Sequence, residues 1–292
     1  MEFRDRAEVV AYGKALREDY ERRNRPAAET VIGEPMQIAV GEQTVYCLHY
    51  PSKRRKNGPV FFNIHGGGMV WAYPEEDDSF CANLNETLDI EVYSLDYLRA
   101  PEHMYPEAVE LLYRTLVQFA QSAARYNFDP AQMAIGGHSA GGNFAAALTL
   151  MAAARGDVRF ACQVLDYPAV DMRPSAFTEE ACALMPSLPK ELLDYFSLAY
   201  MRESDADDPY CNPIVAAPEQ LRGLPPAVVM TCERDPLKYM GRAYTQKLIE
   251  ANVPVLHYEY PGVEHAFDVF EGPEMKKGQD YLIRGLKFFM GL

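Results

Sequence analysis

Eight short apolar runs, separated by turn residues or by helical patterns, constrain this chain more than any other feature. They are Met36 to Val40, Thr44 to Tyr50, Val60 to His65, Ile90 to Leu95, Met133 to Gly137, Ala161 to Asp166, Ala227 to Cys232 and Val255 to Tyr260, and their β-branched and aromatic content predicts strands. Only GEQ separates the first two, which predicts an antiparallel hairpin. Later spacers read as helices, for example PEAVELLYRTLVQFAQSAARY from Pro106 to Tyr126. Strands joined through helices run parallel by right-handed crossovers, so the expectation is an α/β fold: an eight-stranded, mostly parallel sheet with helices on both faces. With 292 residues, 48% of them hydrophobic, one large core over residues 1–292 is expected. Two segments lie outside the alternation: a charged arm at about 1–28, and a proline-containing stretch at 171–212 that holds the amphipathic LPKELLDYFSLAYMRE. Both are expected to form a small helical cap.

The net charge of −14 disfavours nucleic acid and anionic lipid as partners. No early apolar run follows Met1, and no stretch of about twenty apolar residues occurs, so a cytoplasmic protein without stable membrane association is expected. The six cysteines form no CxxC pair, which predicts buried thiols with no disulfide and no zinc site. A homodimer is left open.

After the fifth strand comes AIGGHSAGGNFAAALTL, with Ser139 at the centre of the GxSxG pentapeptide GHSAG. Small residues at both ends permit a sharp strand-to-helix turn that lifts the central hydroxyl above the sheet. The pentapeptide alone also fits a glycine-rich turn with a capping serine. VFFNIHGGGMVWA supplies more: Gly66, Gly67 and Gly68 follow the third strand, where backbone N–H groups, with that of Ala140, can bind the oxygen of a tetrahedral intermediate. A phosphate-binding loop would need GxxxxGK[ST], which this stretch lacks. His65 fits an anchor for the glycine loop.

A serine nucleophile needs a base and an acid that orients the base, in the chain order Ser, Asp or Glu, His. Of six histidines, only His257 and His265 follow Ser139 by more than a residue. His257 lies within the alternating VPVLHYEY, whereas His265 lies beyond it in PGVEHAF, free to reach the sheet edge. His265 is therefore the expected base. Glu233 and Asp235 end the seventh strand; Asp235, in the turn opening the next helix, is the better acid, although an N-cap aspartate would read the same way.

These motifs resemble the hormone-sensitive-lipase-like carboxylesterases of the α/β-hydrolase fold: HGGG at 65–68, LDYLRAPEHMYP at 95–106, GHSAGG at 137–142, ERDPL at 233–237 and EHAF at 264–267. The resemblance implies a triad of Ser139, Asp235 and His265, an oxyanion hole from Gly67, Gly68 and Ala140, no metal or other cofactor, and hydrolysis of small-molecule esters with short acyl chains. It also implies that Asp96 and the APEH turn brace the HGGG loop. Three positions depart from the family pattern: His138 replaces the usual Asp or Thr, Ala266 replaces Gly, and DYLRAPE replaces DYRLAPE. His138 is expected to hydrogen-bond beneath the serine turn. Arylformamidase-like amide hydrolysis and a non-catalytic ligand-binding protein are the alternatives. The expected substrate walls are Met69, Val70, Trp71, Tyr73, Tyr167, Leu184, Met185, Leu188, Tyr195 and Phe196.

Overall fold

Each apolar run forms a strand, and all eight join one sheet. The computed structural model describes residues 3–270 and 272–292. The strands are β1 (Glu34–Val40), β2 (Gln43–Tyr50), β3 (Gly58–Ile64), β4 (Glu91–Leu95), β5 (Phe128–His138), β6 (Cys162–Asp166), β7 (Ala227–Arg234) and β8 (Val255–Glu264). Their order is β1-β2-β4-β3-β5-β6-β7-β8. β2 runs antiparallel to both its neighbours, and every other pairing is parallel.

The helices are α1 (Arg6–Asn24), α2 (Asp78–Leu88), α3 (Glu107–Gln121), α4 (Ala140–Arg155), the single turn α5 (Glu179–Cys182), α6 (Lys190–Tyr200), the single turn α7 (Pro218–Leu221), α8 (Lys238–Glu250) and α9 (Met275–Met290). Strand alternation divides the core between the two faces of the sheet. Val60 and Phe62 of β3 pack in the larger cluster with α3, α4 and α8, while Phe61 packs in the smaller one with α2 and α9. Alanine-rich α4 is buried on every side from Ala140 to Ala152, because its small side chains let it lie flat between the sheet and the elements packed over it.

α1 and α6 pack together over the sheet. The Tyr195 hydroxyl donates to the Val9 carbonyl at 2.9 Å, and the Arg6 guanidinium donates to the carbonyls of Pro101, Leu198 and Ala199. No helix among the described residues is long and apolar enough to cross a membrane. All six cysteines are buried free thiols.

The turn after β5 depends on two glycines. A Cβ on Gly137 would stand 2.5 Å from the Ile64 carbonyl oxygen, and one on Gly141 would overlap that same oxygen. Gly141→Ala is therefore expected to destabilise the fold by about 3 kcal/mol or more, because the obstructing atoms are backbone and cannot swing away. The denaturant midpoint measures it; an unchanged midpoint would refute this account of the turn.

Candidate active site

Three loops at the carboxyl ends of the strands converge on Ser139. The hydroxyl sits between the end of β5 and the start of α4 with φ 53° and ψ −113°, a conformation unfavourable for any residue with a Cβ. The surrounding fold holds this strain: the Ser139 N–H donates to the Asp166 carbonyl, and the Ser139 carbonyl accepts from Ala169 and Asn143. His265 follows the last residue of β8, and Asp235 follows the last residue of β7. His265 Nδ1–H donates to Asp235 Oδ2 at 2.8 Å, and His265 Nε2 accepts from Ser139 Oγ, also at 2.8 Å. Asp235 is fully buried, and its other oxygen accepts from the Leu237 N–H at 2.8 Å. The orienting contact and the turn-capping contact thus use different oxygens of one carboxylate. Glu233 accepts from the Gly262 N–H at 2.7 Å, bracing the turn in β8. His257, on β8, lies instead against the Thr231 hydroxyl at 3.1 Å.

Opposite the hydroxyl lies the glycine loop. The Gly67 carbonyl accepts from both Val70 and Trp71 at 3.0 Å, curling the loop so that Gly67 and Gly68 take φ values of 102° and 58°. Ala140 is the first residue of α4, where a helix leaves its N–H groups without internal partners. His65 stacks on Tyr97 with ring centroids 4.2 Å apart and lies 3.0 Å from Asp96 Oδ1. Arg99 donates to Asp96 and to the Ala72 carbonyl, and the Tyr97 hydroxyl donates to the Gly66 carbonyl at 2.6 Å. The DYLRAPE segment therefore holds the glycine loop at both ends.

A cleft of about 780 Å³ passes Ser139 and His265 and is walled by Trp71, Tyr167, Leu188 and the 262–270 loop. A second, smaller apolar chamber of about 30 Å³ also opens on Ser139 and His265, between Gly68, Phe177, Leu188 and Phe196. Met69 and Val70 need correction as substrate walls. The tight turn on Gly67 rolls both into the main core, where each is 0% exposed. Tyr73 and Tyr195 are likewise buried, Tyr195 beneath α1. Walls that the sequence did not reveal are Phe177, Leu193 and Leu237 in the small chamber, and Tyr20, on α1, in the large cleft. Tyr20 stacks on Trp71 at 5.2 Å and donates to Glu76 Oε2 at 2.8 Å. Burial pushes the Glu76 carboxyl up to about 8, which favours its protonated form at neutral pH.

Comparison with known proteins agrees with this architecture. A family described by the alpha/beta hydrolase fold matches residues 61–269. The chain is 34% identical over 225 residues to an arylesterase of Saccharolobus solfataricus, covering 75% of this chain and 71% of that protein. It is 33% identical over 224 residues to the carboxylesterase NlhH of Mycobacterium tuberculosis, covering 75% and 70%. Among solved structures, the thermostable carboxylesterase EstE1 from a metagenomic library superposes with a TM-score of 0.84 at 31% identity, over 96% of this chain and 97% of that one. With the sheet order, the strained serine turn and these likenesses in agreement, the chain belongs to the hormone-sensitive-lipase-like carboxylesterases of the alpha/beta hydrolase fold, a family of carboxylic ester hydrolases.

Proposed function

We propose that the protein hydrolyses short-chain acyl esters through an acyl-enzyme intermediate, with Ser139 as nucleophile, His265 as base and Asp235 as the acid that orients it. The unbroken hydrogen-bonded series from Asp235 through His265 to Ser139, with both links at 2.8 Å, carries this reading. Asp235 fixes the proton on His265 Nδ1, which leaves Nε2 free to take the serine proton as Oγ attacks the ester carbonyl. The carbonyl oxygen becomes an oxyanion, held by the N–H groups of Gly67, Gly68 and Ala140. Collapse of the intermediate expels the alcohol, which takes its proton from His265. Water then attacks the acyl-enzyme with His265 again as base, and the carboxylic acid leaves as Ser139 regains its proton.

The small chamber favours short acyl groups. Its 30 Å³ holds about two water-sized groups. Each methylene gains about 0.8 kcal/mol while apolar room remains and costs overpacking beyond it. Among p-nitrophenyl esters, kcat/KM is expected to peak between acetate and butyrate and to fall roughly tenfold or more by palmitate. A rate that keeps rising to twelve or more carbons would place the acyl chain in the large cleft and refute the short-chain reading. Faster cleavage of N-formylkynurenine than of any ester would replace the ester reading with an amide one, and failure of a fluorophosphonate to label Ser139 would leave only ligand binding.

A further inference from the structure

Beneath the serine turn, His138 at the end of β5, Asp166 at the end of β6 and Asp268, three residues beyond His265, meet in the interior. None is more than 2% exposed. A ring nitrogen of His138 and one oxygen from each carboxyl lie within 4.8 Å of one another. His138 Nδ1–H donates to Asp166 Oδ2 at 2.6 Å, and the Tyr167 hydroxyl donates to Asp268 Oδ1 at 2.7 Å. Asp166 Oδ1 and Asp268 Oδ2 are left buried with no donor. Yet the two carboxyl groups lie side by side, with an oxygen of each within 4.8 Å of the other. Two carboxylates cannot satisfy one another, whereas one proton between them satisfies both.

We propose that Asp166 and Asp268 share a proton, and that this acid pair is a positioning device fastening the His265 loop to the strand ends beneath Ser139. The contacts give it leverage on the reacting groups. The Tyr167 ring, held by Asp268, packs edge-on against the His265 imidazole with centroids 4.7 Å apart. The Asp166 carbonyl holds the Ser139 N–H at 2.9 Å, and the Asp268 carbonyl accepts from Gln279 of α9 at 2.9 Å. The pair therefore links the elements that carry nucleophile and base.

The surroundings favour the proton. Burial raises both carboxyls well above the ordinary carboxylate range. Asp77 and Asp235 raise Asp166 further, while His138 opposes the rise at Asp268. The Tyr167 hydroxyl and the Cys232 thiol also face the pair. Because both values are raised, the stabilisation is complete in acid and is lost as pH rises through the raised value, when two carboxylates face each other and the loop loosens.

Only the kinetic half of the test rests on the esterase reading. Asp268→Asn keeps the shape, and its Nδ2–H replaces the shared proton at every pH; Asp268→Ala removes it. With p-nitrophenyl acetate, Asp268→Ala is expected to lower kcat about tenfold with KM changed less than about threefold, as for misplacement of a base rather than loss of binding. Asp268→Asn should restore most of that loss and lack the alkaline decline in kcat that the proposal expects of the wild type. The infrared difference spectrum at pH 7, wild type minus Asp268→Asn, should show a protonated-carboxyl band, the band of Glu76 cancelling because both proteins carry it, a readout independent of activity and of whether Asp268→Ala folds. Identical bands in the two proteins, a loss in Asp268→Asn as large as in Asp268→Ala, or one equivalent of metal bound through Asp268 would each overturn the proposal. A wild type that cleaves no ester refutes the esterase reading instead, and the infrared comparison still decides the shared proton.

Discussion

Ser139→Ala is expected to lower kcat for p-nitrophenyl butyrate by about 10⁴-fold or more while shifting the unfolding free energy by less than about 0.5 kcal/mol. The two effects separate because the proposed chemistry is the hydroxyl's and the turn is the backbone's. Serine and alanine both have a Cβ, so the strain at φ 53° is common to them. Gly137 and Gly141 make room for the turn in either case. The variant loses one hydrogen bond to His265, made at a half-buried position. Labelling by a fluorophosphonate should disappear along with turnover. A variant that kept a tenth of the activity would show that another group attacks the ester.

His265→Ala is expected to cost kcat about 10⁴-fold as well, and its comparison with His138→Ala separates two histidines that both lie close to Ser139. His265 touches the Ser139 hydroxyl, the proposed nucleophile, so its removal leaves Ser139 without an acceptor and Asp235 facing an empty site. His138 touches Asp166 instead, and truncating it leaves a buried carboxylate oxygen without its donor. That should cost about 1 to 3 kcal/mol of stability, with a kcat defect far smaller than that of His265→Ala. Measuring kcat on folded protein and the denaturant midpoint on both variants resolves the roles. If His138→Ala proved the more damaging to kcat, the base would have been assigned to the wrong imidazole.

The sheet was legible because its strands announce themselves in order. Runs such as VFFNI and AVVMTC admit no helical periodicity, and the spacers between parallel strands have the length and amphipathicity of crossovers. Strand ends were less legible. Pro261-Gly262 reads as a turn, yet β8 continues through it to Glu264, because the ladder with β7 shifts register between Cys232 and Arg234 and a bulge on an edge strand accommodates a proline. This places His265 directly at a strand end rather than on a free loop. Ser139, Asp235 and His265 could be read as candidates because each lies where a strand gives way to a turn, and chain order pruned the rest. Met69 and Val70 misled for the opposite reason: adjacency to the glycine loop says nothing about direction, and two hydrogen bonds to the Gly67 carbonyl turn them inward. Asp166 and Asp268 carried no local signal, since 102 positions separate them and only the closing of β6 against the loop after β8 brings them together.

The stacking of Tyr20 on Trp71 has a consequence for how such an enzyme can diversify. Tyr20, at one side of the cleft, comes from α1, which supplies no group to the Ser139–His265–Asp235 series; beside the Arg17–Glu102 ion pair it is fastened through backbone carbonyls, Arg17 donating to those of Val70 and Ala100 and Arg6 to those of Pro101, Leu198 and Ala199. Carbonyl anchors are indifferent to which side chains the sheet domain carries. Substitutions along the inner surface of this helix can therefore widen, narrow or repolarise the entrance without disturbing the positions of the reacting atoms. The character of this entrance and the chemical competence are thus inherited on separate stretches of chain, whereas the acyl chamber beside Gly68 and Leu237 stays tied to the reacting groups.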